Sequence, residues 1–252
     1  MSDMPMISVI TCALPRGTEW LSEAWRSLED QTLPPDWQWE WLLQIDGPEK
    51  LRSSVPQDDP RIRITRNPRN FGAATARTLA LGRAGGELVA VLDADDIMLP
   101  GHLSRAIAVM ETHGAEWTAS SALDMHPQGT RVAFETGLSE GMIPNGAFHT
   151  YWQDRGIPPV CPATMVARRE LVLSVGGWTA FPLAADTGLL LAMEAVAPGY
   201  YLEKPGLLYR KWPDQITVSS MSRNEEQRAL RNQVIDARVK ALRGWGVRWS
   251  AA

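Results

Sequence analysis

The chain reads as one α/β domain built on a mainly parallel, Rossmann-like sheet flanked by helices. Three observations predict it. Short apolar runs rich in β-branched residues alternate with helical patterns through the first half, carboxylates close two of those runs, and no linker long enough to separate independent domains interrupts the 252 residues. Met6 to Cys12 is the first such run, a buried-strand signal broken by Pro15 and Gly17. From Thr18 the period changes: Trp20, Leu21, Ala24, Trp25 and Leu28 share one helical face, with Thr18 placed to cap and Glu19 in the first turn. Pro34 and Pro35 end that helix. Trp37 to Ile45 forms the next strand and closes on Asp46 and Gly47, and Arg61 to Thr65 alternates as a short strand. Ala73 to Arg83 reads as a helix, Glu87 to Leu92 as an apolar strand, and Pro100 to His113 as a helix with Pro at its start.

The second half is less regular. Trp117 to Leu123 and Arg131 to Phe134 have strand character, whereas Gly137 to Pro162 is interrupted by Pro and Gly and reads as a long surface segment near a site. Arg168 to Val175 and Ala184 to Ala197 are helical, Tyr200 to Glu203 and Leu207 to Lys211 are short strands, and Arg223 to Leu242 is a charged amphipathic helix.

Composition bounds the function. With 25 Lys and Arg against 29 Asp and Glu, the net charge of −4 offers no bulk nucleic-acid footprint, and nucleic acid is not an expected partner. Two cysteines, Cys12 and Cys161, make neither a disulfide framework nor a zinc knuckle. The first residues lack a secretory signal, and no apolar run is long enough for an integral membrane segment. A cytoplasmic protein is expected, with a homodimer left open. The unusual entries are eleven Trp against four Tyr and four Phe, and a cationic complement that is nearly all Arg. Both types favour stacking and planar contacts, although Trp also simply fills cores.

The sharpest chemical feature is Asp93-Ala94-Asp95-Asp96, directly after an apolar strand. Carboxylates this close repel one another unless a cation or a proton relieves them. Ligands of open α/β sheets gather at the carboxyl ends of the strands, and such oxygen donors suit Mg2+ or Mn2+. A solvated acidic turn before the next helix is the plainer alternative. Asp46 occupies the equivalent place after another strand, where it either meets a base or ribose or serves as a turn residue.

Taken together, these segments resemble family 2 glycosyltransferases of the GT-A fold. "ISVITC", "SLEDQTLPPDWQWEWLLQIDG", "NFGAATART", "AGGELVAVLDADDIMLPGHL" and "VARRELVLSVGGW" occur in the family's order, with Thr78 where Asn is usual. The likeness covers about the first 218 residues. It implies a GT-A domain over 1–218, nucleotide-binding to about residue 100 and acceptor-binding and catalytic thereafter, with 219–252 as a helical extension. It also implies that Thr11, Ala13 and Asp46 line the base pocket, that Arg77 faces the nucleotide or its phosphates, and that Asp93 contacts the ribose beside Ala94. Asp95 and Asp96 would hold Mn2+ or Mg2+ with the donor diphosphate. The family's acidic pair after Gly-Gly-aromatic reads Ala185-Asp186 here, which leaves Asp186 as the candidate general base. Where the family often has Tyr-Arg-x-His, this chain has Tyr209-Arg210-Lys211-Trp212, so Trp212 replaces the expected His, with Asp214 as a nearby substitute.

The expected reaction moves a sugar from a nucleotide-diphosphate sugar to a hydroxyl or amine of a saccharide or small-molecule acceptor. The alternatives are a nucleotide-sugar-binding protein that has lost catalysis, marked by Ala185 and Trp212, and a sugar nucleotidyltransferase. Arg210 and Lys211 are candidates for the diphosphate, or a solvated basic pair. Trp152, Trp178 and Trp212 are the candidate sugar-stacking rings, while Trp20, Trp25, Trp37, Trp39 and Trp41 read as structural. Gly137-Leu138-Ser139-Glu140-Gly141 matches a nucleophile-elbow pattern but lacks the acid and His that should follow in order.

Overall fold

The computed structural model describes residues 4–14, 18–48, 55–181, 183–213, 215, 224–246 and 248–249. Pro15, Gly17 and Asp214 lie outside the described residues.

Each strand and helix expected in the first half is present. Strands β1 (Met6–Ala13), β2 (Gln38–Ile45), β3 (Ile62–Arg66) and β4 (Leu88–Val91) lie parallel in the order β3-β2-β1-β4. A 3-10 turn at Thr18–Trp20 leads into α1 (Leu21–Glu29), and α2 (Ala73–Leu81) crosses between β3 and β4. The residues that announced the strands are the ones removed from water: Ile7, Val9, Ile10, Trp41, Leu42 and Leu43 are fully buried. Each such side chain contributes about 1.5–3 kcal/mol by burial. Trp25 stacks on Trp41 and meets Trp39 edge-on, so these three rings are core, as their periodicity implied. At the start of β4 the backbone passes so close to β1 that a Cβ on Gly86 would lie 2.7 Å from the Met6 carbonyl oxygen and the Ser8 nitrogen. Only glycine fits there.

Beyond β4 the sheet becomes mixed. After β5 (Ile97–Met98) and α3 (His102–His113), strand β6 (Trp117–Met125) carries the short β7 (Arg131–Ala133) on its flank. Later come β8 (Gly141–Met142), α4 (Ala147–Arg155), β9 (Val166–Arg168), α5 (Arg169–Ser174), α6 (Ala185–Val196) and β10 (Gly199–Arg210). Strand β9 is antiparallel to both β4 and β6 and joins the two halves, while β10 runs parallel to β6. The two short strands expected near the end of the sheet are one strand, β10, whose register shifts between Leu202 and Leu207 around Pro205. Proline cannot donate to the ladder, which is why the pattern reads as interrupted.

The segment 137–162 is less exposed than its composition suggests. Within it α4 buries Phe148, His149 and Trp152. Its first turn is held by Glu194 of α6, whose carboxylate accepts from the Phe148 and His149 backbone N–H groups at 2.8 and 3.2 Å. A helix end satisfied from so far along the chain has no local sequence signal. The last helix, α7 (Glu225–Gly244), adds Ile235 and Val239 to the common core. Arg243 ties it to Glu194 at 3.1 Å, and Asp236 to the His149 ring at 2.9 Å. Among the described residues, no helix is long and apolar enough to cross a membrane.

Candidate active site

The carboxyl ends of β1, β2 and β4 open onto one edge of the sheet, and α6 brings a further carboxylate to it. At the centre stands Arg77 of α2, whose side chain is 8% exposed. It donates through Nη2 to Asp93 at 2.5 Å and through Nη1 to Asp186 at 3.3 Å. Burial opposes its charge, but Asp186 and Asp93 outweigh that cost and hold the guanidinium more firmly protonated than an ordinary arginine. The residues expected to meet the donor and the residue expected to act as base, 109 positions from Arg77, thus share one cation.

Asp186 sits in the first turn of α6, where the helix dipole favours an anion. Its second oxygen accepts from the Trp178 indole N–H at 2.7 Å. The residue before the helix, Ala184, has φ of 60°, and it is the sole non-glycine with positive φ among the described residues. An L-residue there costs about 1–2 kcal/mol, a strain that clusters at sites needing a fixed side-chain direction.

The Asp93–Asp96 turn divides its work. Asp93 and Asp95 are half-buried, whereas Asp96 is 1% exposed. Burial first, and then the charges of Asp93 and Asp95, push the Asp96 carboxyl well above the ordinary range, against a 2.9 Å hydrogen bond from the Arg210 backbone N–H to Oδ1. Its Oδ2 has no partner. Asp95 is also raised, by burial and Asp93, and is opposed by the Trp212 indole N–H, which donates to its Oδ2 at 2.7 Å. An orphaned buried oxygen beside two more carboxylates is a donor set that fits a hard divalent cation. Among the described residues, no three His, Cys, Asp or Glu side chains converge as a ready-made metal cage. Ions of this kind often rely on one or two carboxylates plus substrate oxygens.

Trp212 cannot replace the expected His as a ligand, because indole N–H only donates. Its ring packs against Trp20, 4.9 Å between centroids. Trp20, read from its periodicity as structural, packs at this rim. Arg210 lies over Trp20 at 5.3 Å, donates through Nε to the Asp95 carbonyl at 2.7 Å and pairs with Glu23 of α1 at 2.8 Å. Glu23 carries no sequence signal beyond a polar helix face. Lys211 points elsewhere: its ammonium pairs with Asp124 at 3.2 Å. Successive residues of an extended chain face opposite sides, so only one member of the basic pair reaches the carboxylate turn.

Several expected site residues make contacts within the fold. Thr11 is fully buried, its hydroxyl donating to the Leu92 carbonyl at 2.6 Å and accepting from Trp41 at 2.8 Å, so that hydroxyl is engaged within the fold. Ala13 is likewise fully buried. Asp46, 1% exposed, shapes a loop: it accepts from the Asn67 side chain at 2.7 Å and from the Phe71 and Gly72 backbone N–H groups at 2.9 and 2.8 Å. Trp152 and Trp178 are 5% and 4% exposed, and Trp152 stacks on His149, so neither of these two expected stacking rings presents an open face to a sugar. Trp37 is half-buried and donates to Glu111 at 3.3 Å, away from the cluster. Cys12, which the sequence did not single out, lies among these groups. Burial lifts its thiol to about 12 against the pull of Arg77, with Asp46, Asp93 and Asp186 adding to the rise. A cavity of about 220 Å³ lined by Pro5, Trp37, Leu88 and Arg168 lies at the opposite ends of the strands and shares none of this chemistry.

The family model described as glycosyl transferase family 2 matches residues 8–175, from β1 through α5 and including the Asp93–Asp96 turn. The chain belongs to this family. An uncharacterized glycosyltransferase of Methanocaldococcus jannaschii is 31% identical over 116 residues, 44% of this chain and 39% of the relative. TuaG of Bacillus subtilis, named as a teichuronic acid biosynthesis glycosyltransferase, is 29% identical over 130 residues, 50% of each chain. This family 2 chain therefore spans half or less of the length of those relatives. Its fold resembles that of S. aureus TarS 1–349 in complex with UDP-GlcNAc, with a TM-score of 0.67 at 17% identity, over 85% of this chain and 61% of that one. The likeness agrees with the GT-A arrangement expected of a family 2 glycosyltransferase.

Proposed function

We propose that this family 2 domain transfers a glycosyl group from a nucleotide-diphosphate sugar to a hydroxyl or amine acceptor, with inversion, and that Asp186 is the general base. The observation that carries the reading is the Asp93–Arg77–Asp186 chain, which links the carboxylate at the donor end of β4 to a carboxylate oriented by Trp178. Asp186 takes the acceptor proton as the acceptor oxygen or nitrogen bonds to the anomeric carbon. The bond from that carbon to the diphosphate oxygen breaks on the opposite face, releasing a nucleoside diphosphate. Single displacement from the opposite face inverts the centre. Arg77 fixes both carboxylates relative to each other, and Arg210 braces the Asp95–Asp96 turn from β10. Asp95 and Asp96 are the residues that would hold Mg2+ or Mn2+, and a bound ion supplies Lewis-acid stabilisation of the leaving diphosphate. Asp46 acts on the base pocket indirectly, by shaping loop 67–72.

UDP-GlcNAc is the first donor to test, since the similar TarS fold is seen with it. Asp186→Asn is expected to cut turnover by about 100-fold or more while leaving nucleotide-sugar binding by calorimetry intact. Near-normal turnover would remove Asp186 from the role of base. A second reading is favoured by two substitutions: Ala185 replaces an acidic residue, and the Trp212 indole occupies Asp95. In that reading the domain binds nucleotide sugars without transferring them. Binding with no turnover across a broad acceptor panel would support it.

A further inference from the structure

The end of β10 and the residues just after it grip the Asp93–Asp96 turn at three points. The Arg210 backbone N–H donates to Asp96 Oδ1 at 2.9 Å, Arg210 Nε to the Asp95 carbonyl at 2.7 Å, and the Trp212 indole N–H to Asp95 Oδ2 at 2.7 Å. Each of the two carboxylates thus gives one oxygen to the 210–212 segment and keeps the other outside these contacts. On Asp96 that other oxygen, Oδ2, is buried and has no partner among the described residues. The grip is itself braced. Gln215, which is buried, donates through its carboxamide to the Arg210 carbonyl and accepts from the Trp212 backbone N–H at 3.4 Å. The Trp212 ring packs on Trp20 of the 3-10 turn before α1, 4.9 Å between centroids. Trp212 therefore meets Asp95 from a fixed direction.

We propose that Trp212 is a positioning residue for a divalent cation at Asp95 and Asp96: its indole N–H fixes the Asp95 carboxylate so that the remaining oxygen of each residue serves the ion. The inference rests on the reading that these two carboxylates hold Mg2+ or Mn2+. A carboxylate left unheld beside two others turns away from them, because like charges repel, and an ion must then reorganise it on binding. A donor on one oxygen removes that cost and leaves the second oxygen to the ion. Indole suits the task because it only donates, so it offsets part of the charge at Oδ2 and never acts as a ligand itself. Hydrogen bonds that orient metal-ligating groups are worth about 10- to 100-fold in affinity. The same contact would act the other way on an ion that required Asp95 Oδ2, since the indole would have to be displaced. The partnerless Asp96 Oδ2 favours positioning, because it offers a second anionic oxygen without the breaking of a hydrogen bond.

Two calorimetric titrations test this: Mn2+ into the metal-free protein, and UDP, with which the similar TarS fold is seen, into the protein held in excess Mn2+. Trp212→Phe keeps a ring against Trp20 and removes the donor. It should weaken Mn2+ binding about 10- to 100-fold while the melting temperature of the metal-free protein stays near that of the parent chain. Asp95→Asn should remove most of the binding, and Trp212→Phe should add little in that background. A purely structural role would move the melting temperature and leave Mn2+ affinity alone. Two outcomes separate the proposal from the reading beneath it. Mn2+ binding that depends on Asp95 but is unchanged or tighter in Trp212→Phe overturns the proposal, and tighter binding identifies the indole as an obstruction. Mn2+ that binds in neither titration, or that binds regardless of Asp95→Asn and Asp96→Asn, removes the metal reading and the proposal together. None of these readouts requires glycosyl transfer.

Discussion

Trp178→Phe isolates the hydrogen bond that aims the candidate base. The ring at position 178 is 4% exposed, so phenylalanine keeps most of the packing and removes one donor. That donor is the indole N–H, 2.7 Å from Asp186 Oδ1, while the other carboxylate oxygen rests on Arg77 at a longer 3.3 Å. A hydrogen bond to a charged partner contributes about 1.5–3 kcal/mol. If it serves to fix the base for proton transfer, its loss converts to about 10- to 100-fold in kcat at 1.4 kcal/mol per decade. On the proposed reading, in which the donor meets Asp93 and the 93–96 turn, the donor KM should stay unchanged. The assay is steady-state release of nucleoside diphosphate, repeated in the Asp186→Asn background. There Trp178→Phe should add little, since the carboxylate it orients is already neutral. Unchanged kcat, or an equal loss in both backgrounds, would refute the reasoning.

Three further outcomes follow from the same contacts. Arg77→Met strands two carboxylates around a buried position and should lower unfolding free energy by about 3–5 kcal/mol in urea titrations, with part restored by adding Asp93→Asn and Asp186→Asn. Burial, reinforced by Arg105 and opposed by a backbone hydrogen bond at Thr164, holds His102 down to about 4. The unfolded chain therefore binds the extra proton first, and stability should fall by about 3 kcal/mol as pH drops from about 6.5 to about 4; His102→Asn should flatten that part of the profile in denaturant titrations. Trp212→His places a potential ligand beside Asp95 and should lower the Mn2+ concentration for half-maximal activity by about tenfold, read from a metal titration after chelator dialysis.

Much of this molecule is written locally. The alternation of apolar runs and helical faces predicted β1 to β4 and α1 to α3, because burial of one face imposes a period of two or of 3.6 on any sequence that folds so. The Asp93–Asp96 turn was visible for a similar reason: carboxylates gathered at a strand's end have a physical cost that demands an explanation. The order of motifs also identified the family and singled out Asp186 and Arg77. What depended on tertiary structure were contacts between segments far apart in the chain. No local pattern shows that Arg77 bridges Asp93 and Asp186, that Trp20 joins Trp212 at the rim, or that Glu194 caps α4. Nor does it show that Thr11 and Asp46 turn their polar groups inward to Leu92, Trp41 and the 67–72 loop. Periodicity tells which side chains leave the water, but the partners that a buried polar group meets are set by the packing of distant elements, and those partners decide whether it binds, positions or merely holds.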